Sequence, residues 1–218
     1  MTIRLLSGIA AGLAAITAVA CSEIAAPSRG DVYEWRLVVG TDTLAFHWSA
    51  SSLPVKIWVE DQFDMPSHIA RGIAQWESAF LYNEYAAELV SDSASADVLV
   101  RTIVAPPKLA QTLTRLPSIL RPECSGATDI DTVATRFQLQ LPIRMFVWPR
   151  FDPVLNDLTE CFQIVAAHEL GHSLGLFQHS FTPSDLMHFD PTATQLSRRD
   201  INTAELNAHE PSTMVPTR

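Results

Sequence analysis

The chain has 218 residues, 47% of them hydrophobic, which is enough for one domain with its own core. Its formal net charge is −9, from 15 Lys and Arg against 24 Asp and Glu, and it contains no basic run. That composition argues against a nucleic-acid partner. The sequence also lacks a Gly-x-Ser-x-Gly elbow and a phosphate-binding glycine loop, which argues against a serine hydrolase.

Residues 1–21 are predicted to be an export signal and not part of the fold. Arg4 precedes an apolar and small-residue run from Leu5 to Ala20, shorter than the roughly 20 apolar residues that span a bilayer. Two outcomes are open at its end. Ala18-Val19-Ala20 is an A-x-A cleavage site, which would release a soluble protein. The small residues before Cys21 also resemble a bacterial lipoprotein box, in which Cys21 becomes the lipidated terminus, and the end of the apolar run at the cysteine favours this outcome. Either way the protein is expected to be exported, to a bacterial cell envelope or as a secreted form, and any membrane association would run only through that anchor. Residues 22–31, with Pro27, Ser28 and Gly30, read as a tether. Setting Cys21 aside leaves Cys124 and Cys161, an even pair in an oxidising compartment. They are expected to form a disulfide, with two unrelated thiols as the alternative.

The folded domain is predicted over residues 32–209. Tyr33–Val39 and Thr43–Trp48 are rich in aromatic and β-branched residues, and Gly40-Thr41-Asp42 between them predicts a hairpin with His47 at the surface. Pro54–Glu60 alternates, with Val55, Ile57 and Val59 on one face. From Pro66 to about Tyr82, the spacing of Ile69, Ile73, Trp76 and Phe80 predicts a helix with one apolar stripe. Asp97–Val104 reads as a strand ended by Pro106-Pro107, and residues 108–131 read as a long surface connection. Arg136–Leu141 alternates polar and apolar residues, as a sheet-edge strand with one wet face would. Ile143–Trp148 is the next strand. Asp157 and Glu160 are placed to cap a helix whose stretch from Phe162 to Leu174 is apolar almost all round, hence buried. Arg199–His209 reads as a closing helix, and residues 210–218, with Pro211 and Pro216, as a flexible tail.

The chemistry sits in that buried helix. His168-Glu169-Leu170-Gly171-His172 is His-Glu-x-x-His, and residues four apart share a helical face, so His168 and His172 can hold one metal ion. Glu169 lies beside that face, placed to take a proton from a metal-activated water. Gly175 is suited to end the helix, because glycine adopts the left-handed conformation at no steric cost. The chain can then return His179 as a third imidazole. Three imidazoles leave one position open, as a catalytic zinc site requires.

These residues resemble the metzincin metallopeptidases, in particular the matrixin-like branch, whose pattern is His-Glu-x-x-His-x-x-Gly-x-x-His followed by a Met-turn. Gln178 stands where that pattern has its third histidine, and His179 comes one residue later, as a one-residue insertion in the loop after Gly175 would produce. Ser184-Asp185-Leu186-Met187-His188 resembles the Met-turn, with Met187 beneath the metal. Phe189 stands where a tyrosine is usual, and His188 is an open question. Gln195–Ile201 resembles the start of the family's last helix. The resemblance implies an α+β fold: a twisted mixed sheet packed on a long helix and the zinc-binding helix, with a small C-terminal subdomain. It also implies an edge strand that receives substrate, for which Arg136–Leu141 is the candidate. The implied protein is a monomeric Zn2+-dependent endopeptidase with Glu169 as general base, acting on proteins or peptides. Two rivals stand beside it: a catalytically inactive zinc-binding lipoprotein that binds peptides, and a site whose third ligand is Glu205.

Overall fold

The computed structural model describes residues 30–103, 123–130, 132–133 and 137–218. Residues 1–21, including Cys21, most of the expected tether, Pro106-Pro107 and Arg136 lie outside the described residues. Asp31–Arg218 forms one unit, and no helix among the described residues is long and apolar enough to cross a membrane.

β1 (Leu37–Val39) and β2 (Asp42–Leu44) form the expected hairpin, with Leu37 opposite Leu44 and both buried. Gly40 makes the turn at φ +61°. β3 (Val55–Val59) buries Val55 and Ile57. α1 (Met65–Glu77) begins with Pro66 in its first turn, where the missing N–H costs nothing. Met65, Ile69, Ile73 and Trp76 form its buried stripe. The helix ends five residues earlier than the stripe predicts. Ala79 N donates to Trp76 O and Phe80 N to Glu77 O, so the chain tightens into a turn that still buries Phe80 and leaves Leu81 and Tyr82 exposed.

The remaining elements are β4 (Ala87–Leu89), β5 (Val98–Arg101), β6 (Cys124–Asp129), β7 (Thr132–Val133), β8 (Gln138–Gln140), β9 (Ile143–Pro149), α2 (Thr159–Ser173), α3 (Arg198–His209) and β10 (Val215–Thr217). The main sheet has the order β4-β3-β5-β9-β6. Its first four strands are parallel and β6 is antiparallel to β9, so the sheet is mixed.

Two expectations need correcting. The antiparallel edge of the main sheet is β6, from within the stretch read as a surface connection, and not Arg136–Leu141. Gln138–Gln140 belongs instead to a separate sheet of order β10-β8-β7. Alternation around the buried Leu139 reveals a strand with one wet face but not the sheet it joins. The segment read as a flexible tail carries β10, parallel to β8, and Met214 beside it is buried.

α1 and α2 pack against each other closely at Gly72, where a Cβ would lie 2.7 Å from Leu170 Cδ1 and 3.3 Å from Ala167 Cα. Trp76 Nε1 donates to Ala167 O at 2.8 Å. The C-terminal end of α2 is tied down just as firmly, because its last carbonyls lack helical partners. Trp48 Nε1 donates to Ser173 O and Asn207 Nδ2 to Leu174 O. The hairpin and α3 therefore grip the point from which the third histidine is delivered.

Candidate metal centre

Asp157 accepts from Thr159 N at 3.0 Å at the start of α2, although the residue at the cap position itself is Leu158 and has no side-chain cap. Further along, His168, Glu169 and His172 are all buried. His168 Nδ1 lies 2.7 Å from Leu186 O, and His172 Nδ1 lies 2.6 Å from Leu176 O. A carbonyl only accepts, so Nδ1 carries the proton in both rings and Nε2 keeps its lone pair.

The chain turns after Leu174 at Gly175, φ +104°. A Cβ there would collide with Phe46 O, so only glycine fits. Directly after the turn, Phe177 N and Gln178 N both donate to Trp35 O. His179 then arrives with Nε2 3.2 Å from His172 Nε2, which is itself 3.0 Å from His168 Nε2. The ligand atoms of the three histidines all lie within 4.8 Å of one another. Imidazoles on a tetrahedral ion at about 2.1 Å would place their nitrogens about 3.4 Å apart. Lone pairs converging at such separations repel unless a cation lies between them, so the donor set fits zinc. Glu205 lies on α3 outside this group.

The rings are held neutral. Burial, then the neighbouring His179, pushes His168 down to about 3. Burial, then His168 and His179, holds His172 well below the usual imidazole range. Burial, then His188, lowers His179 to about 4. A neutral imidazole is the form that ligates. Glu169 shifts the other way: burial raises it to about 8, against a lowering hydrogen bond from Thr128. A cation on the adjacent histidines would bring it down again.

Met187 is fully buried and packs under Gly171, where an added Cβ would meet its sulfur and lie 2.7 Å from Trp76 Cζ2. Ser180 N donates to Met187 O at 2.8 Å, which couples the loop bearing His179 to the turn bearing Met187. That turn hangs on Asp200, which sequence reasoning missed. The buried Asp200 carboxylate accepts from Leu186 N at 2.8 Å, Met187 N at 3.3 Å, Ser197 N at 2.9 Å and Tyr33 Oη at 3.4 Å. Burial still leaves its pKa raised. The signal for it was Ser197-x-x-Asp200, the reciprocal cap at the start of α3. Asp185 accepts from Ser180 Oγ and pairs with Arg199 Nε at 3.3 Å, which steadies the same turn. His188 is also buried, with Nδ1 2.9 Å from Asp190 O, beside the cluster but outside its three ligands. Phe189 is half exposed.

Cys124 and Cys161 are joined by a disulfide, Cα–Cα 6.1 Å, linking β6 to the first turn of α2. β6 also holds Thr128, whose Oγ1 donates to Glu169 Oε2 at 2.6 Å. Neither Thr128 nor Gly126 was singled out from sequence.

No curated protein matches the chain. The family model described as Matrixin matches residues 109–207, a span that contains β6, all of α2, the three histidines and Met187. The match supports a metzincin-like family of zinc-dependent peptidases.

Proposed function

We propose that this chain is a zinc-dependent endopeptidase with Glu169 as its general base. The observation that carries this reading is the convergence of ring nitrogens from His168, His172 and His179, all within 4.8 Å of one another, next to the buried carboxylate of Glu169. The Matrixin match supports the same reaction class. His168, His172 and His179 would hold the ion. Zinc, when bound, acidifies water and polarises the scissile carbonyl. Glu169 takes the proton of the attacking water on its carboxylate and delivers it to the departing amine nitrogen. Met187 forms the floor beneath the ligands. Among the described residues β6 pairs only with β9, so its outer edge offers backbone groups to an extended substrate added as an antiparallel strand. Export by residues 1–21, with Cys21 either lipidated or cut away, belongs to the same proposal and rests on their sequence.

Glu169→Gln is the test. The variant should keep its zinc and lose chelator-sensitive cleavage of casein. Cleavage at the wild-type rate would refute the role of Glu169, and wild-type protein that binds zinc without cleaving would favour a peptide-binding role.

A further inference from the structure

Cys124, Gly126 and Thr128 alternate along one face of β6. Their partners on α2 are Cys161, Val165 and Glu169, four residues apart on one helical face. Two strand residues advance roughly 6.8 Å, and four helical residues advance about 6 Å. Strand and helix therefore stay in step over three successive contacts. Cys124 is bonded to Cys161. A Cβ on Gly126 would lie 2.6 Å from Val165 Cγ1 and 2.5 Å from Glu169 Oε1, so the bare glycine makes the space that the carboxylate fills. Thr128 Oγ1 donates to Glu169 Oε2 at 2.6 Å and lies 3.2 Å from Glu169 O.

We propose that Thr128 is a positioning residue for Glu169, held in register by the Cys124–Cys161 bond, and that its hydroxyl, by fixing Oε2, holds the carboxylate in the space over Gly126 in the one orientation from which it takes the proton. This rests on the proposed function. A glutamate has three side-chain torsions, and a general base must sit within hydrogen-bond reach of the proton it removes. Anchoring one oxygen removes most of that freedom. Thr128 does not touch the substrate; it acts through Glu169.

The test compares wild type, Thr128→Val and Thr128→Ser on a quenched peptide, with bound zinc and melting temperature measured on the same samples. Thr128→Val should keep zinc and KM and lose kcat roughly 10- to 100-fold, the loss expected for one hydrogen bond to a charged group. Thr128→Ser should restore kcat to within about threefold, because it restores the donor. Thr128→Ala carries the same test if the valine variant does not fold. Wild-type kcat without the hydroxyl, or equal losses in the serine and valine variants, would overturn the assignment. An active wild type in those outcomes leaves the peptidase reading standing. A wild type with no chelator-sensitive cleavage would defeat that reading and this role with it.

Discussion

Replacing Cys124 and Cys161 together by alanine opens the link between β6 and α2. The bond closes a loop with a sequence separation of 37. Loop-closure entropy then gives about 13 cal/mol/K, or about 4 kcal/mol at 25 °C, of stability drawn from the constrained unfolded chain. For a domain of this size each kcal/mol moves the melting temperature by about 2–4 °C, so the double variant should melt roughly 8–16 °C lower. Differential scanning calorimetry without reductant measures the shift. Thiol titration of the unfolded, unreduced wild type should find neither Cys124 nor Cys161 reactive. Activity should fall further than zinc content, because β6 carries Thr128 while the ligands sit on α2 and the loop beyond it. An unchanged melting temperature, with both thiols reactive in the wild type, would refute the reasoning.

Asp200→Ala removes the acceptor for Leu186 N and Met187 N. It should cost about 3 kcal/mol or more, since buried donors are left unpaired. It should also weaken zinc binding roughly 10- to 100-fold, because Leu186 O orients His168, and a competitive chelator titration would show this. The metal-free protein should be most stable near pH 6.5. Below that value the unfolded histidines take up protons that folded His168, His172 and His179, with their lowered pKa values, refuse, so stability falls with falling pH. Glu169, raised to about 8, has the opposite sign: from about 4.5 to 8 the folded state holds its proton and the unfolded state does not. It therefore offsets one of the three histidines on the acid side and makes stability fall with rising pH above 6.5. Thermal melts from pH 4.5 to 8 would show a maximum, and a monotonic profile would contradict the account.

The centre of the site was legible because its information is local. His168 and His172 share a helical face by spacing alone, and Gly175 marks the reversal after them. How the loop that delivers His179 is held was not legible, because Trp35 O, remote in sequence, receives the amides of Phe177 and Gln178. The hairpin and the strands of Val55–Val59, Val98–Arg101 and Ile143–Pro149 could be read from their β-branched and aromatic content. Cys124–Asp129 reads Cys-Ser-Gly-Ala-Thr-Asp, with almost none of that content. Its small residues answer to the helix packed against them, and strand propensity carries no record of that. For the same reason Thr128 was invisible until Glu169 was placed beside it.

X-ray absorption at the zinc edge of the loaded protein tests the ligand set most directly. Three imidazole nitrogens and one light oxygen or nitrogen donor at about 2.0–2.1 Å are predicted, falling to two imidazoles in His179→Ala. A spectrum unchanged by that substitution, or one with fewer than three imidazoles in the wild type, would contradict the account.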